Sequence, residues 1–371
     1  ALNEYVYFNG DIMKTFRMPR GPDSGFLFYA TEGKRRSYFD TSATNHALDE
    51  ACYTVIPQPL GTALVPNGLP VFTLNYTNDD EGSRKLSRDS RLTFTAPADG
   101  RYIVRVTDTR DWSNERFVYA LTIREPQPDF SLTLDTNKLT AIPARSSIGF
   151  SIKVDRRDDF EGPIRVDIAH VPEGFYASSP IYIEAGHTLA TGSLHALPTA
   201  KTDADWSQVT VTATAEIQGK EVTHTTANFG KITLGPAPQF IVYLEPDADG
   251  KPMMREDTQE AQPLELTLVP GQTVKAWIRV ERNNFEGLIN FDVHDLPHGV
   301  IIDDIGLNGV QVRAKENERP IFFRCDKWVQ DQDRLCHVAM ASARAEQDSA
   351  GLTTSFPILM KIRKPAGVAG R

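Results

Sequence analysis

The residues best suited to chemistry in this 371-residue chain are carboxylates. Asp79 and Asp80 stand between Asn78 and Glu81, and Asp108 and Asp111 close a later run of strand-like text. Calcium takes roughly six to eight oxygen ligands, and carboxylates converging from loops are how secreted β-domains supply them. Calcium is therefore the one cofactor to carry, with Asp79, Asp80, Asp108 and Asp111 as its expected ligands, although no cofactor is required. Asp247-Ala248-Asp249-Gly250 is a second group of this kind. For both groups the competing reading is a solvated polar turn.

Three tryptophans, Trp112, Trp206 and Trp328, fall in or beside polar loop text. An exposed indole offers a flat apolar face on which a sugar ring can stack, so these three are the candidate ligand platform. The alternative is that they cap the ends of a sandwich. Trp277 differs, because it lies within strand text. Ser24, in Gly21-Pro22-Asp23-Ser24-Gly25, has turn chemistry and no strand-to-helix elbow around it. His294 and His298 have the spacing of a helical zinc pair, but Pro297 forbids the helix. Nor is there a phosphate-cradling or dinucleotide glycine motif. The expectation is a protein that is not an enzyme.

Cys325 and Cys336 lie eleven positions apart and flank the polar stretch Asp326–Arg334. Two adjacent strands joined by a loop would bring them together, and a disulfide there would stabilise by roughly 2–3 kcal/mol. The alternative is two small buried thiols. Cys52 is then left over, with burial expected.

These residues must be positioned by a scaffold that the chain spells twice. Residues 160–174 begin Phe160-Glu161-Gly162 and end Val171-Pro172-Glu173-Gly174, and residues 285–299 begin Phe285-Glu286-Gly287 and end Leu296-Pro297-His298-Gly299. A period of about 125 residues is that of a duplicated domain, too long for a solenoid. Ile148, Phe150, Ile152 and Val154 alternate with polar residues, as do Val274, Ala276, Ile278 and Val280. Period 2 of this kind marks half-buried antiparallel strands. His337–Glu346 looks helical by propensity, yet it corresponds to the strand-like Val209–Glu216, so a strand is expected there too.

Two proline-rich joints, Glu125–Asp129 and Gly235–Gln239, divide the chain into expected domains 1–125, 126–236 and 237–371. The last carries an acidic insertion, Glu245–Gln262, expected as a loop or hairpin between its first two strands. A net charge of -9 with no basic run excludes nucleic acid held by phosphate neutralisation. No apolar run is long enough to insert in a membrane. There is no signal peptide, and the abrupt strand-like opening at Ala1 is expected of a processed form or a fragment.

Residues 89–108, from Asp89 through Pro97, Gly100 and Tyr102 to Asp108, followed by Tyr119-Ala120-Leu121-Thr122-Ile123, resemble the bacterial pre-peptidase C-terminal domain. That resemblance covers 1–124 and implies a jelly-roll-like sandwich; its relatives in secreted collagenases bind calcium. The two repeats are similar to bacterial immunoglobulin-like domains with Phe-x-Gly and Leu-Pro-x-Gly turns. The expected fold is all-β, with three tandem β-sandwiches, one jelly-roll-like and two immunoglobulin-like. Such families imply a non-catalytic, extracytoplasmic module, secreted, periplasmic or at the cell surface. It would space, display or dock a larger exported protein, with other domains of that protein, a surface protein or a glycan as partners. The alternatives are a carbohydrate-binding accessory region of a secreted hydrolase and a structural subunit of a surface assembly.

Overall fold

The computed structural model describes the backbone of 4–8, 11–17 and 26–30, residues 63, 94 and 96, and residues 98–135 except 109 and 111. It further describes 140–340, except 159, 161, 186, 188, 227, 255–261 and 304–309, and residues 353–365. These fall into two compact units, the first comprising 1–130 with 155–161 and the second the remainder. Regular structure among the described residues is strand throughout, so the fold is all-β.

In the first unit β1 (Glu4–Phe8), β2 (Asp11–Arg17) and β3 (Phe26–Ala30) form an antiparallel meander. Residues 101–108 and 117–123, expected as core strands of the jelly roll, carry no strand assignment. Their apolar side chains are exposed, Ile103 at 90% and Val118 at 93%. A strand is held by its neighbours, and among the described residues none pairs with these. The turn chemistry is present: the Tyr102 hydroxyl donates to the Ala98 carbonyl at 2.5 Å, and Phe94 meets Tyr102 edge-on. Where the chain leaves this region, Asp158 accepts from Arg124 and, at 2.6 Å, from the Gln127 N–H. That carboxylate is 6% exposed, and its hydrogen bonds hold the Arg124 guanidinium above its ordinary range.

The second unit contains the second repeat and most of the first. In the first repeat the strands are β4 (Asp129–Asp135), β5 (Ala141–Pro143), β6 (Ser147–Arg157), β7 (Ile164–Ala169) and β8 (Phe175–Ala177). They continue as β9 (Ile181–Ile183), β10 (Leu189–Ala196), β11 (Thr210–Ile217), β12 (Lys220–Thr226) and β13 (Thr233–Gly235). One layer has the order β12-β11-β7-β9; the other is built on β6, flanked by β10 and β4, with β8 beyond β10. The alternation read from the sequence turns Ile148, Phe150, Ile152 and Val154 inward. Gly192 of β10 is glycine by necessity, because a Cβ there would stand 2.4 Å from the Phe150 ring.

The second repeat supplies β14 (Phe240–Ala248), β15 (Lys251–Pro252), β16 (Leu264–Leu268), β17 (Thr273–Arg282), β18 (Ile289–His294) and β19 (Val300–Asp303). It ends with β20 (Val310–Val312), β21 (Glu318–Cys325), β22 (Gln332–Met340), β23 (Thr353–Thr354) and β24 (Ile358–Ile362). One layer runs β15-β14-β17-β21-β19, and β16, β24, β22, β18 and β20 form the facing layer. In both repeats a short early strand pairs in parallel with the last one, β5 with β13 and β16 with β24. The strand expected from 337 is β22; 341–346 lie outside the described residues.

One expectation is corrected here. Cys325 and Cys336 are free buried thiols. Cys325 ends β21 and Cys336 lies in β22, so they belong to opposite layers and not to neighbouring strands of one hairpin. The Cys336 thiol donates to the Asp295 carbonyl at 3.3 Å, and burial pushes it well above the usual thiol range. The joint at Gly235–Gln239 lies inside the second compact unit. β23 pairs with β22 through Ala339 and Thr354, and with β6 of the first repeat through Thr353–Ile148 and Thr354–Ser147. One ten-stranded sheet therefore runs through both repeats.

Candidate functional site

The expected calcium ligands are not brought together by the described residues. Asp79, Asp80 and Asp111 lie outside them. Asp108 accepts from the backbone N–H groups of Arg110, at 2.9 Å, and Trp112, at 3.3 Å, as the cap of a turn. No group of three or more His, Cys, Asp or Glu side chains able to hold a metal occurs among the described residues. Asp247, the alternative, is engaged by protein donors: the Trp277 indole at 2.6 Å, the Lys275 ammonium at 3.1 Å and the Gly250 N–H at 3.1 Å. The Trp277 bond, more than the others, holds its carboxyl below the usual range.

The tryptophans part company. Trp206 is 3% exposed and packs edge-on against Phe175 and Phe229, so it belongs to the core and offers no ligand face. Trp112 is 62% exposed, with the Arg110 guanidinium over its ring. Trp328, 38% exposed, lies against His298. Gly299 beneath it has φ +91°, and a Cβ there would meet the Val329 side chain at 2.5 Å and the indole at 2.7 Å.

The polar residues that converge are at the seam between the repeats, and sequence reasoning missed them. Asp295 follows β18 with φ +61°, as His170 follows β7 with φ +60°, because each opens the Pro-x-Gly turn of its repeat. In the second copy this position places a carboxylate against the first copy. It accepts from the Thr191 N–H at 3.2 Å and the Thr191 hydroxyl at about 3 Å. His337, 1% exposed, brings Nδ1 to 3.2 Å from the Asp295 Oδ2 without hydrogen-bond alignment. The His294 Nδ1 is 3.2 Å from the Thr191 hydroxyl.

Beside this group, Arg334 of the second repeat pairs with Glu184 of the first at 2.5 Å and lies 4.2 Å over the Tyr182 ring. Phe356 packs on Tyr176 and edge-on to His195, whose Nδ1 meets the Ser147 hydroxyl at 2.6 Å. The only sequence signal for this seam was that His170 and Asp295, at matching places, differ in charge.

A hydroxyl, a carboxylate and two imidazoles meet here. The Thr191 hydroxyl donates to the Asp295 carboxylate with the His294 Nδ1 3.2 Å from the same oxygen, and the His337 ring is sealed from solvent. These contacts join a strand of the first repeat to the turn after β18 of the second. A cleft of about 410 Å³ opens at the other end of the second repeat, lined by Asp303, Arg313, Glu316, Glu318, Arg319 and Phe322. Among its described lining residues there is no cysteine, histidine or serine.

On the outer face of the β14–β17 layer a ladder of cations and rings runs across the strands. Lys275 lies 4.1 Å over Trp277, and Arg279 lies 4.0 Å over Tyr243. Arg279 also holds Glu245, which is 1% exposed, by two bonds of 2.8 and 2.9 Å. Burial alone would lower the Arg279 guanidinium; its bonds to Glu245 more than offset that and hold it above its ordinary value. Glu245 is thus a strand residue, while the hairpin expected of the insertion appears as β14–β15.

No protein-family model matches the chain, and no curated protein matches it. Solved structures with some likeness include a protein of unknown function from Porphyromonas gingivalis W83, 12% identical, covering 62% of this chain and 99% of that one, with a TM-score of 0.20. The D00-D0 domain of intimin is 10% identical over 62% of this chain and 99% of its own, also with a TM-score of 0.20. Domains 4-9 of the surface layer protein SbsC are 9% identical, covering 65% of this chain and 32% of that one, with a TM-score of 0.20. At such scores the fold rests on the chain's own strand order.

Proposed function

We propose that this chain is a non-catalytic, extracytoplasmic module of a larger exported or cell-surface protein, in which two fused sandwiches act as a stiff arm that spaces or displays what is attached to it. The observation that carries the reading is the β23 bridge, by which one sheet passes through both repeats. A flexible tether would leave two sandwiches free to reorient, whereas a shared ladder and a buried polar seam fix their relation. The tandem all-β build, and the resemblance of residues 89–123 to an exported bacterial module, support the location. Antibody to the folded chain is expected to label intact producing cells or their culture medium. Labelling that appears only after full lysis, with the protein absent from the periplasmic fraction released by osmotic shock, would overturn the extracytoplasmic reading.

A second reading, glycan binding, is favoured by the exposure of Trp112 and Trp328 alone. It predicts glycan-array signals that vanish in Trp112→Ala or Trp328→Ala, and silence across polysaccharides would count against it.

A further inference from the structure

The acidic insertion begins where β14 runs beside β17, the strand of the second repeat that corresponds to β6. β6 and β17 are equivalent, with Ile148–Val154 matching Val274–Val280. One edge of β6 pairs with β10, and one edge of β17 pairs with β21. The other edge of β6 is shared. β4 occupies part of it and stops at Asp135, and the remaining end, Ser147–Ile148, receives β23 of the next repeat.

The corresponding end of β17 is Thr273–Val274. Because Phe130 matches Phe240, the strand β4 would correspond to β14 only as far as Glu245. β14 instead runs on to Ala248, pairing Pro246 with Ala276, and turns back through Asp249 and Gly250 into β15. The Asp247 carboxylate anchors this extension to Lys275 and Trp277, and the Met253 N–H donates to the Pro246 carbonyl at 2.9 Å. β15 contacts β17 as well.

The donor side has a counterpart too. Thr354 faces Ala339 in the second repeat as Thr225 faces Thr212 in the first. Among the described residues β12, which carries Thr225, is the outermost strand of its layer.

We infer that the β17 edge is an acceptor for the strand edge of another sandwich of this kind, held closed by the extension Pro246–Pro252, and that the occupant it excludes is β12 of a second copy of this chain. Open strand edges are templates for such addition, and covering them is how β-proteins avoid it. An uncovered acceptor at one end with an open donor at the other would make a head-to-tail contact that does not close on itself. The insertion therefore terminates the array after the second repeat. This inference is independent of where the protein resides.

The test is a full-length chain in which Pro246–Glu265 is exchanged for the first repeat's Thr136-Asn137-Lys138, compared with wild type by sedimentation velocity over a range of concentrations. Wild type is expected to sediment as one species. The exchanged chain is expected to gain mass reversibly with concentration, at least ~2-fold. Thr273→Cys in the exchanged chain should also form an intermolecular disulfide with Thr225→Cys in wild type. Asp247→Ala, which keeps the chain length and removes only the anchor, should associate more weakly in the same register. An exchanged chain that keeps its β-sheet circular dichroism and yet stays monomeric with no cross-link would overturn the inference. So would an Asp247→Ala chain that cross-links in no register above the wild-type background.

Discussion

Asp295 shows how one side chain turns a repeated turn into a joint. Its backbone does what His170 does in the other copy, and its carboxylate answers the Thr191 N–H and hydroxyl across the seam. Asp295→Ala would leave those donors unanswered at the seam, a loss of about 1–3 kcal/mol. Chemical denaturation should report it as a lower midpoint with an unchanged slope. Asp247 makes a different prediction. Its folded-state pKa is lowered, first by the Trp277 bond, so its stabilisation is present above the unfolded carboxylate value near 4 and is lost as pH falls through the folded one. Asp247→Asn should therefore melt below wild type at neutral pH, and the gap should close in thermal melts taken at progressively lower pH. A gap that widened on acidification would contradict the assignment.

Among the elements, those fixed by period 2 and by the duplication were legible before any coordinates. β6 and β17 follow from alternation, and β22 from 337 onward from its partner in the first copy, against its helical composition, while its start at Gln332 was read as part of a polar loop. Loop residues were not legible, because a polar neighbourhood does not say which way one side chain turns. Trp206 sits among Asp203, Asp205 and Ser207 yet points inward onto Phe175 and Phe229. Trp206→Ala should cost about 3–5 kcal/mol, as for a core aromatic, read from urea unfolding. A loss within about 0.5 kcal/mol would place it at the surface. The cysteines were misread for a related reason: eleven positions of chain can join two layers as readily as two neighbouring strands. Glu245, read as the first residue of a loop or hairpin, extends β14, and Arg279 covers its carboxylate from the adjacent strand.

For the molecule as a whole, the sequence announced two copies but not their fusion, since the strand that joins them is two residues long and has no periodicity to read. What makes it a joint is the uncovered end of β6, a property of the neighbouring copy. The central claim, that the repeats form one stiff body, is tested most directly by the distance distribution between spin labels in different repeats. Thr223→Cys in β12 and Glu318→Cys in β21, both exposed, would carry the labels in a Cys52→Ser background. Thr223→Cys with Glu173→Cys gives the within-repeat reference. The account predicts a between-repeat distribution as narrow as that reference. A broad or multimodal distribution between the repeats, beside a narrow one within the first, would contradict it.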